Sequence, residues 1–199
     1  MSLTISKYSS LVIDGLCDRA RGKDIAVAGL YCDFLAQQEQ SITSMLGAIL
    51  KQLVSRRRIP EHIRQAFRED GKEFGGRCLR ISDLVEITKK AVAALQRVFI
   101  CIDGLDESDP KHRRELLESL REIIRVSPNT RLFLTGRPHV GNEIMKCFGK
   151  VVMIPIIPTQ DDIRSYLEMR LANDTDPDVM DNELRADILR VVPEKISEM

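Results

Sequence analysis

Four short apolar segments are spaced along the chain, and each is rich in β-branched residues. They lie at residues 24–32, 97–102, 130–135 and 150–155. Nearly continuous apolarity is typical of strands that are buried on both faces, as in a parallel sheet. The pattern therefore predicts four parallel strands.

Segments with helical spacing separate these strands. Their apolar residues recur every three or four positions, which places them on one face of a helix. Strands that alternate with helices indicate βαβ units and an α/β fold. The two clearest stripes consist of Ile42, Met45, Leu46, Ile49, Leu50 and Leu53, and of Leu116, Leu117, Leu120, Ile123 and Ile124.

Three signals mark helix ends. Asp109 followed by Pro110 suits an N-cap and the first helical position. Pro128 is expected to stop the helix that they begin. Thr159 and Asp162 form a capping pair before another helical segment. Together they predict helices that start at 110 and 160.

Residues 56–80 have weak periodicity, which is interrupted at Gly75 and Gly76. We interpret them as a helical insertion. The basic run Arg56–Arg58 stands where a helix ends, and a helix C-terminus favours cations. No aromatic residues accompany the run as a stacking platform for bases. We therefore expect no nucleic-acid partner.

Composition points to a cytoplasmic globular protein. Of 199 residues, 43% are hydrophobic, which is enough for a sizeable core. Thirty basic residues balance thirty acidic ones, so no overall field attracts nucleic acid or an anionic membrane. Five widely spaced cysteines without a CxxC pair are typical of reduced thiols. No segment approaches the roughly 20 apolar residues of a membrane span, so we expect no membrane partner.

The second predicted strand runs directly into Asp103, Asp106 and Glu107. In an open parallel sheet, ligands bind outside the carboxyl ends of the strands. An apolar strand that ends in Asp resembles a Walker B element, whose carboxylate holds Mg²⁺, usually through water, beside nucleotide phosphates. We predict that Asp103 is the metal residue and that Asp106 or Glu107 is the catalytic base. The alternative is a solvated acidic loop that begins a helix, because acids are favourable at a helix N-terminus.

The next predicted strand ends in Thr135 and Arg137. An arginine at this edge can contact a γ-phosphate, and we predict that both residues bind nucleotide. The alternative is an ordinary turn in which Arg137 is exposed. An acid-ended strand and an arginine-ended strand in neighbouring βα units favour the nucleotide site.

The motifs VFICIDGLDE (98–107) and TRLFLTGRPHV (130–140) together resemble the NACHT class of STAND P-loop NTPases, in the nephrocystin-like form of fungal NOD-like receptors. Residues 9–54 are similar to the stretch that follows the phosphate-binding loop in that family. The resemblance extends over residues 9–199. It implies a three-layer P-loop NTPase-like α/β fold, with Mg²⁺ and ATP or GTP as cofactors. It also implies a nucleotide-controlled switch whose ATP form opens and oligomerises.

The chain departs from this family at the phosphate-binding loop. No G-x-x-x-x-G-K-[ST] motif occurs in it, and MSLTISKY (1–8) stands where that loop would lie. We therefore expect a sheet that lacks its N-terminal strand and P-loop, with unpaired strand edges. Residues 1–155 are predicted to form an NTPase core without Walker A, and residues 156–199 the start of a truncated C-terminal helical region.

Two functions stay open. The first is a truncated NACHT-like switch module of a NOD-like receptor that is catalytically impaired and acts by association, with itself or with full-length NACHT proteins. The alternative is a working ATP- or GTP-binding switch core that uses the Walker B acids and Arg137. Because P-loop contacts supply much of the phosphate affinity, their absence favours the first.

Overall fold

A computed structural model describes residues 2–55, 80–173 and 181–197. The helical insertion predicted at residues 56–80 lies almost entirely outside the described residues. The basic run Arg56–Arg58 also lies outside them.

The chain divides into two compact units, Met1–Val151 and Val152–Met199. The first unit contains the sheet, and the second contains two helices. The finer domain assignment, with an NTPase core to residue 155 and a helical region after it, stays a prediction.

Helices separate the strands of the first unit, and a short 3₁₀ turn follows each strand. These turns are Phe34–Ala36, Leu105–Glu107 and Pro138–Val140. In chain order the main elements are α1 (Ser2–Ala20), β1 (Ile25–Tyr31), α2 (Ile42–Ser55), α3 (Ile81–Ala93), β2 (Arg97–Asp103), α4 (Pro110–Val126), β3 (Thr130–Leu134) and α5 (Gly141–Phe148).

The three strands form a parallel sheet in the order β1-β2-β3. Tyr31 pairs with Asp103 at the end of β1 and β2, and Ile102 pairs with Leu134 where β3 ends. The α/β class, the parallel sense and three of the four predicted strands are therefore confirmed.

Helices cover both faces of this sheet, which gives the three layers that were expected. On one face α2, α3 and α4 share a continuous apolar core with alternate residues of β1 and β2. On the other face α1 packs against β1 and β2. Gly29 lies so close to α1 that a side chain there would approach Ile13 Cδ1 to 3.2 Å.

The predicted helix stripes and caps are confirmed. All six stripe residues of α2 are buried, and so are four of the five of α4. Asp109 accepts hydrogen bonds from the amides of Lys111 and His112, and Pro110 takes the first helical position. None of the helices within the described ranges is long and apolar enough to cross a membrane.

The prediction of a fourth strand at 150–155 is wrong. Residues 151–159 form no regular secondary structure, and Val152 and Ile154 are 90% and 79% exposed. A strand needs a neighbour that pairs with its backbone groups, and within the described residues the sheet ends at β3. An apolar pattern shows that a segment could form a buried strand. It does not show whether a neighbouring strand is available to pair with it.

The second unit contains α6 (Gln160–Ala172) and α7 (Asn182–Ser197), which pack against each other. The predicted capping pair opens α6. Thr159 Oγ1 accepts from the amide of Asp162 at 3.1 Å, and Asp162 accepts from the amide of Thr159 at 2.9 Å. The start of this helix is thus as the sequence predicts.

The outer edge of β1 is partly closed by a side chain. Gln52 of α2 accepts from the amide of Gly29 at 2.9 Å and donates to its carbonyl at 2.7 Å. The carboxamide therefore satisfies one residue of the edge as a neighbouring strand would.

We expect Gln52→Leu to lower the free energy of unfolding by about 1–3 kcal/mol, because both backbone groups of Gly29 lose their partner. Gln52→Glu keeps the acceptor for the Gly29 amide but places a carboxylate oxygen against the Gly29 carbonyl, so it should also destabilise the chain. Urea unfolding followed by circular dichroism measures both. Lys51→Leu, at the exposed neighbouring position, is the control. Equal stability of Gln52→Leu and Lys51→Leu would show that the edge contact contributes nothing.

Candidate functional site

The three strands end at one edge of the sheet, and backbone hydrogen bonds hold the ends together. Cys32 N donates to Asp103 O at 2.9 Å, and Thr135 N donates to Ile102 O at 2.9 Å. Leu105 N in turn donates to Thr135 O at 2.9 Å. Parallel pairing therefore brings all five predicted site residues to the same edge.

A glycine turns the chain sharply at the end of β2. Gly104 has a φ of 66°, in the left-handed region that favours glycine. A side chain there would approach Cys32 O to 3.1 Å. This turn leads into the 3₁₀ turn that carries Asp106 and Glu107.

Asp103 lies at the centre of the site and is only 4% exposed. Its Oδ1 accepts from Ser9 Oγ and from Thr135 Oγ1, both at 2.5 Å. Thr135 Oγ1 also accepts from Gly104 N at 3.1 Å. These bonds join α1, β2 and the end of β3 around one buried carboxylate, which is the environment such a charge requires.

Ser9 is the member of the site that the sequence did not single out. It lies in α1 and is 1% exposed, although Asp103 is 94 residues away along the chain. A single serine in a helix carries no motif. Its proximity to Asp103 follows from the packing of α1 against β2, which the sequence does not specify.

Asp106 lies beside Arg137. Arg137 N donates to Asp106 Oδ1 at 3.1 Å, and Arg137 Nε lies 3.3 Å from Oδ2. The aspartate side chain is 9% exposed, whereas the arginine side chain is 67% exposed. The two residues connect the loop after β2 to the loop after β3.

Glu107 connects the acidic turn to the loop after β1. Its Oε2 accepts from Phe34 N at 3.4 Å, and its backbone carbonyl accepts from Gln37 Nε2 at 2.6 Å. Phe34 is 67% exposed and Leu35 is 92% exposed. The loop after β1 thus presents apolar side chains next to the acids.

A buried thiol lies beside the acids at this edge. Burial, together with the nearby carboxylates of Asp103, Glu107 and Asp106, raises the pKa of Cys32 to about 12. Because the thiolate is the nucleophilic form, Cys32 is not suited to nucleophilic chemistry at neutral pH.

The oxygen atoms around Asp103 fit Mg²⁺ in type. Mg²⁺ prefers oxygen ligands, keeps several waters, and is usually bound through one or two carboxylates together with substrate phosphates. The described residues contain no group of three or more His, Cys, Asp or Glu that could hold a metal by themselves. The hydroxyls of Ser9 and Thr135 beside the Asp103 carboxylate therefore suit a water-rich Mg²⁺ site rather than an all-protein metal cage.

Two cavities lie elsewhere. One of about 370 Å³ is lined by α6 and α7, with Arg164 and Arg190 among its residues. The other, of about 280 Å³, is lined by Lys89, Arg121 and Arg125 among others. Neither cavity is lined by Ser9 or by any of the five predicted site residues.

Comparison with solved structures supports the fold. The chain is similar to the ORC1 protein of Aeropyrum pernix, solved in complex with DNA, with 20% identity and a TM-score of 0.50. The match covers 96% of this chain and 50% of the ORC1 chain, so the chain spans half the length of that protein. At this identity the similarity supports the predicted P-loop NTPase-like α/β fold and does not extend to function.

Comparison by sequence identifies the family. No curated protein matches the chain. The family model described as "Nephrocystin 3, N-terminal" matches residues 6–137, which is more than half of the chain. The matched region contains Ser9 and all five predicted site residues, and it confirms the nephrocystin-like resemblance. The chain therefore belongs to the nephrocystin 3 N-terminal family.

Proposed function

We propose that this chain is a nucleotide-switch module of the NACHT type found in fungal NOD-like receptors, with impaired hydrolysis. The observation that carries the proposal is the buried Asp103 carboxylate with the hydroxyls of Ser9 and Thr135 on one oxygen. A solvated acidic loop, the alternative interpretation, does not require a buried acid joined to two other elements. The family and the fold support the same class of function.

In this proposal Asp103 holds Mg²⁺ through water, and Ser9 and Thr135 orient the carboxylate. Mg²⁺, when bound, supplies positive charge that neutralises the phosphates of ATP or GTP. The sequence contributes the carboxylate at the strand end, and the packing of α1 contributes the serine.

Arg137 and Glu107 complete the proposed site. The Arg137 guanidinium is mostly exposed at the same edge, so it can pair with a phosphate group. Glu107 is half-buried and stands at the end of the acidic turn, where a carboxylate can accept a proton from an attacking water. Asp106 is the other predicted base.

The sequence supports impaired hydrolysis. The 199 residues contain no G-x-x-x-x-G-K-[ST] motif, whose backbone amides and lysine would hold the phosphates. We therefore propose weak nucleotide binding without useful turnover, and a function that is exerted through association.

Two apolar features support association. Within the described residues the sheet ends at β3, whose outer edge has no strand neighbour. In the second unit, Val152, Ile154, Ile156 and Ile157 are all at least 60% exposed. Open strand edges and contiguous exposed apolar residues mark surfaces that pair with other chains. The proposed partners are a second copy or a full-length NACHT protein.

We expect millimolar Mg²⁺–ATP to raise the unfolding temperature of the chain and Asp103→Asn to abolish that response. A ligand at 100 times its Kd adds about 2.7 kcal/mol, which is a shift of several degrees. Asparagine keeps an oxygen that accepts from the two hydroxyls but removes the charge. Differential scanning fluorimetry measures the shift.

Glu118→Gln is the matched control, because it removes one exposed carboxylate from α4. It should respond to nucleotide like the unsubstituted chain. An equal shift in Asp103→Asn, or no shift in the unsubstituted chain, would contradict the proposed site. Phosphate release above the background rate would contradict impaired hydrolysis.

Association should depend on the exposed segment Val152–Ile157. We expect the chain to self-associate in a concentration-dependent manner and Ile154→Lys to weaken this at least about tenfold. Burying an isoleucine contributes roughly 1.5–3 kcal/mol, and 1.4 kcal/mol is tenfold in affinity. Analytical ultracentrifugation measures the dissociation constant. Val126→Lys, at a residue 56% exposed on α4, is the control and should leave association unchanged. A chain that is monomeric at high concentration would limit the proposed partners to other proteins.

A further inference from the structure

The Asp106 carboxylate is directed at Arg137 through both of its oxygens. Oδ1 accepts the Arg137 amide at 3.1 Å, and Oδ2 lies 3.3 Å from Arg137 Nε. A water that is to lose a proton to this carboxylate must compete with these contacts. This geometry is typical of a carboxylate that positions an arginine, here Asp106 with Arg137.

The loop after β3 is fitted to this contact. A side chain at Gly136 would approach Asp106 Oδ1 to 3.3 Å and Val140 Cγ2 to 2.9 Å. Glycine at this position therefore lets the loop lie directly against Asp106. The backbone of Arg137 is held in place, while its side chain stays 67% exposed.

We propose that Asp106 is a positioning residue for Arg137 and not the base, and that a phosphate group displaces Asp106 from the guanidinium. This inference rests on the proposed function, since it concerns the same nucleotide site. Phosphate and carboxylate each offer two oxygens that can accept from the planar guanidinium fork, so they compete for the same donors. An ion pair with one exposed partner costs little free energy to break. Phosphate therefore needs to bind the Arg137 guanidinium only slightly more tightly than Asp106 does. In the unliganded chain, Asp106 keeps the guanidinium at the sheet edge and screens its charge.

The test is titration of inorganic pyrophosphate without Mg²⁺, followed by ³¹P NMR at low ionic strength. Without Mg²⁺, the response does not depend on the metal role of Asp103. Asp106→Asn should bind pyrophosphate about two- to fivefold more tightly than the unsubstituted chain, which is the range of a partly exposed ion pair. In an Arg137→Gln background the same substitution should give no gain. Such a result would show that the increase in pyrophosphate affinity depends on the Arg137 side chain.

Glu107→Gln is the charge-matched comparison. It removes one negative charge from the same turn, but Glu107 contacts the loop after β1. A gain equal to that of Asp106→Asn, or a gain that persists without Arg137, would show that only the total charge matters and would overturn the inference. Equal binding by the unsubstituted chain and Asp106→Asn would also overturn it.

A second measurement tests the pair itself. In urea unfolding, the double substitution Asp106→Asn with Arg137→Gln should change the unfolding equilibrium constant less than the product of the two single effects, by a factor of about two to five. If no variant binds pyrophosphate, Arg137 does not receive phosphate and the inference fails. In that case, a response to Mg²⁺–ATP that Asp103→Asn abolishes would still support the proposed function. If the unsubstituted chain also shows no response to Mg²⁺–ATP, the proposed function and the inference both fail.

Discussion

Parallel pairing of β2 with both of its neighbours is the constraint on which the site depends. Because the three strands run in one direction, their carboxyl ends meet at one edge, and each ends in a tight turn rather than a long loop. The pairing of Tyr31 with Asp103 and of Ile102 with Leu134 sets which residues leave the sheet there. A shift of β2 by one residue would turn the Asp103 side chain to the other face of the sheet. The site is therefore a consequence of register as much as of residue type.

The edge gathers acids in a place where their charges repel one another, and the fold offsets this repulsion in three different ways. Asp103 is stabilised by hydroxyls from α1 and from the residue that follows β3, Asp106 by Arg137, and Glu107 by the amide of Phe34. Burial is the main cause of the raised pKa of Cys32, and the three carboxylates add to it. An acidic edge beside the exposed Arg137 guanidinium is suited to a cation that brings phosphates with it, because the cation relieves the repulsion and the phosphates can pair with the arginine.

The sequence predicted the positions that end each strand and missed the contacts that other elements add. Asp103, Thr135 and Arg137 were identifiable because a buried strand that ends in a polar residue is a local pattern. Ser9 and Gln52 were not, since each acts across a long separation in sequence through a helix whose placement depends on packing. The sequence identified Asp106 and Arg137 as separate site residues. It did not predict that they pair with each other, because this contact joins the loops after two different strands. The segment at 150–155 shows the opposite failure, in which a strand-like composition occurs without a neighbour to pair with.

The two outer strands of the sheet differ in a way that bears on association. At β1, Gln52 satisfies both backbone groups of Gly29, and α1 and α2 pack against the strand, so another chain finds an interrupted edge there. At β3 the described residues provide no equivalent side chain, and Leu132, Phe133 and Leu134 are only half-buried. An added strand gains most where backbone donors are free and apolar area is still exposed. Of the two edges of this sheet, β3 is therefore the better suited to pair with an added strand, and it leads directly into Thr135 and Arg137. A ligand that moves Thr135 and Arg137 would therefore act at the end of the strand with which a partner chain would pair. In the proposed switch, the nucleotide site and the association edge would then be connected through β3.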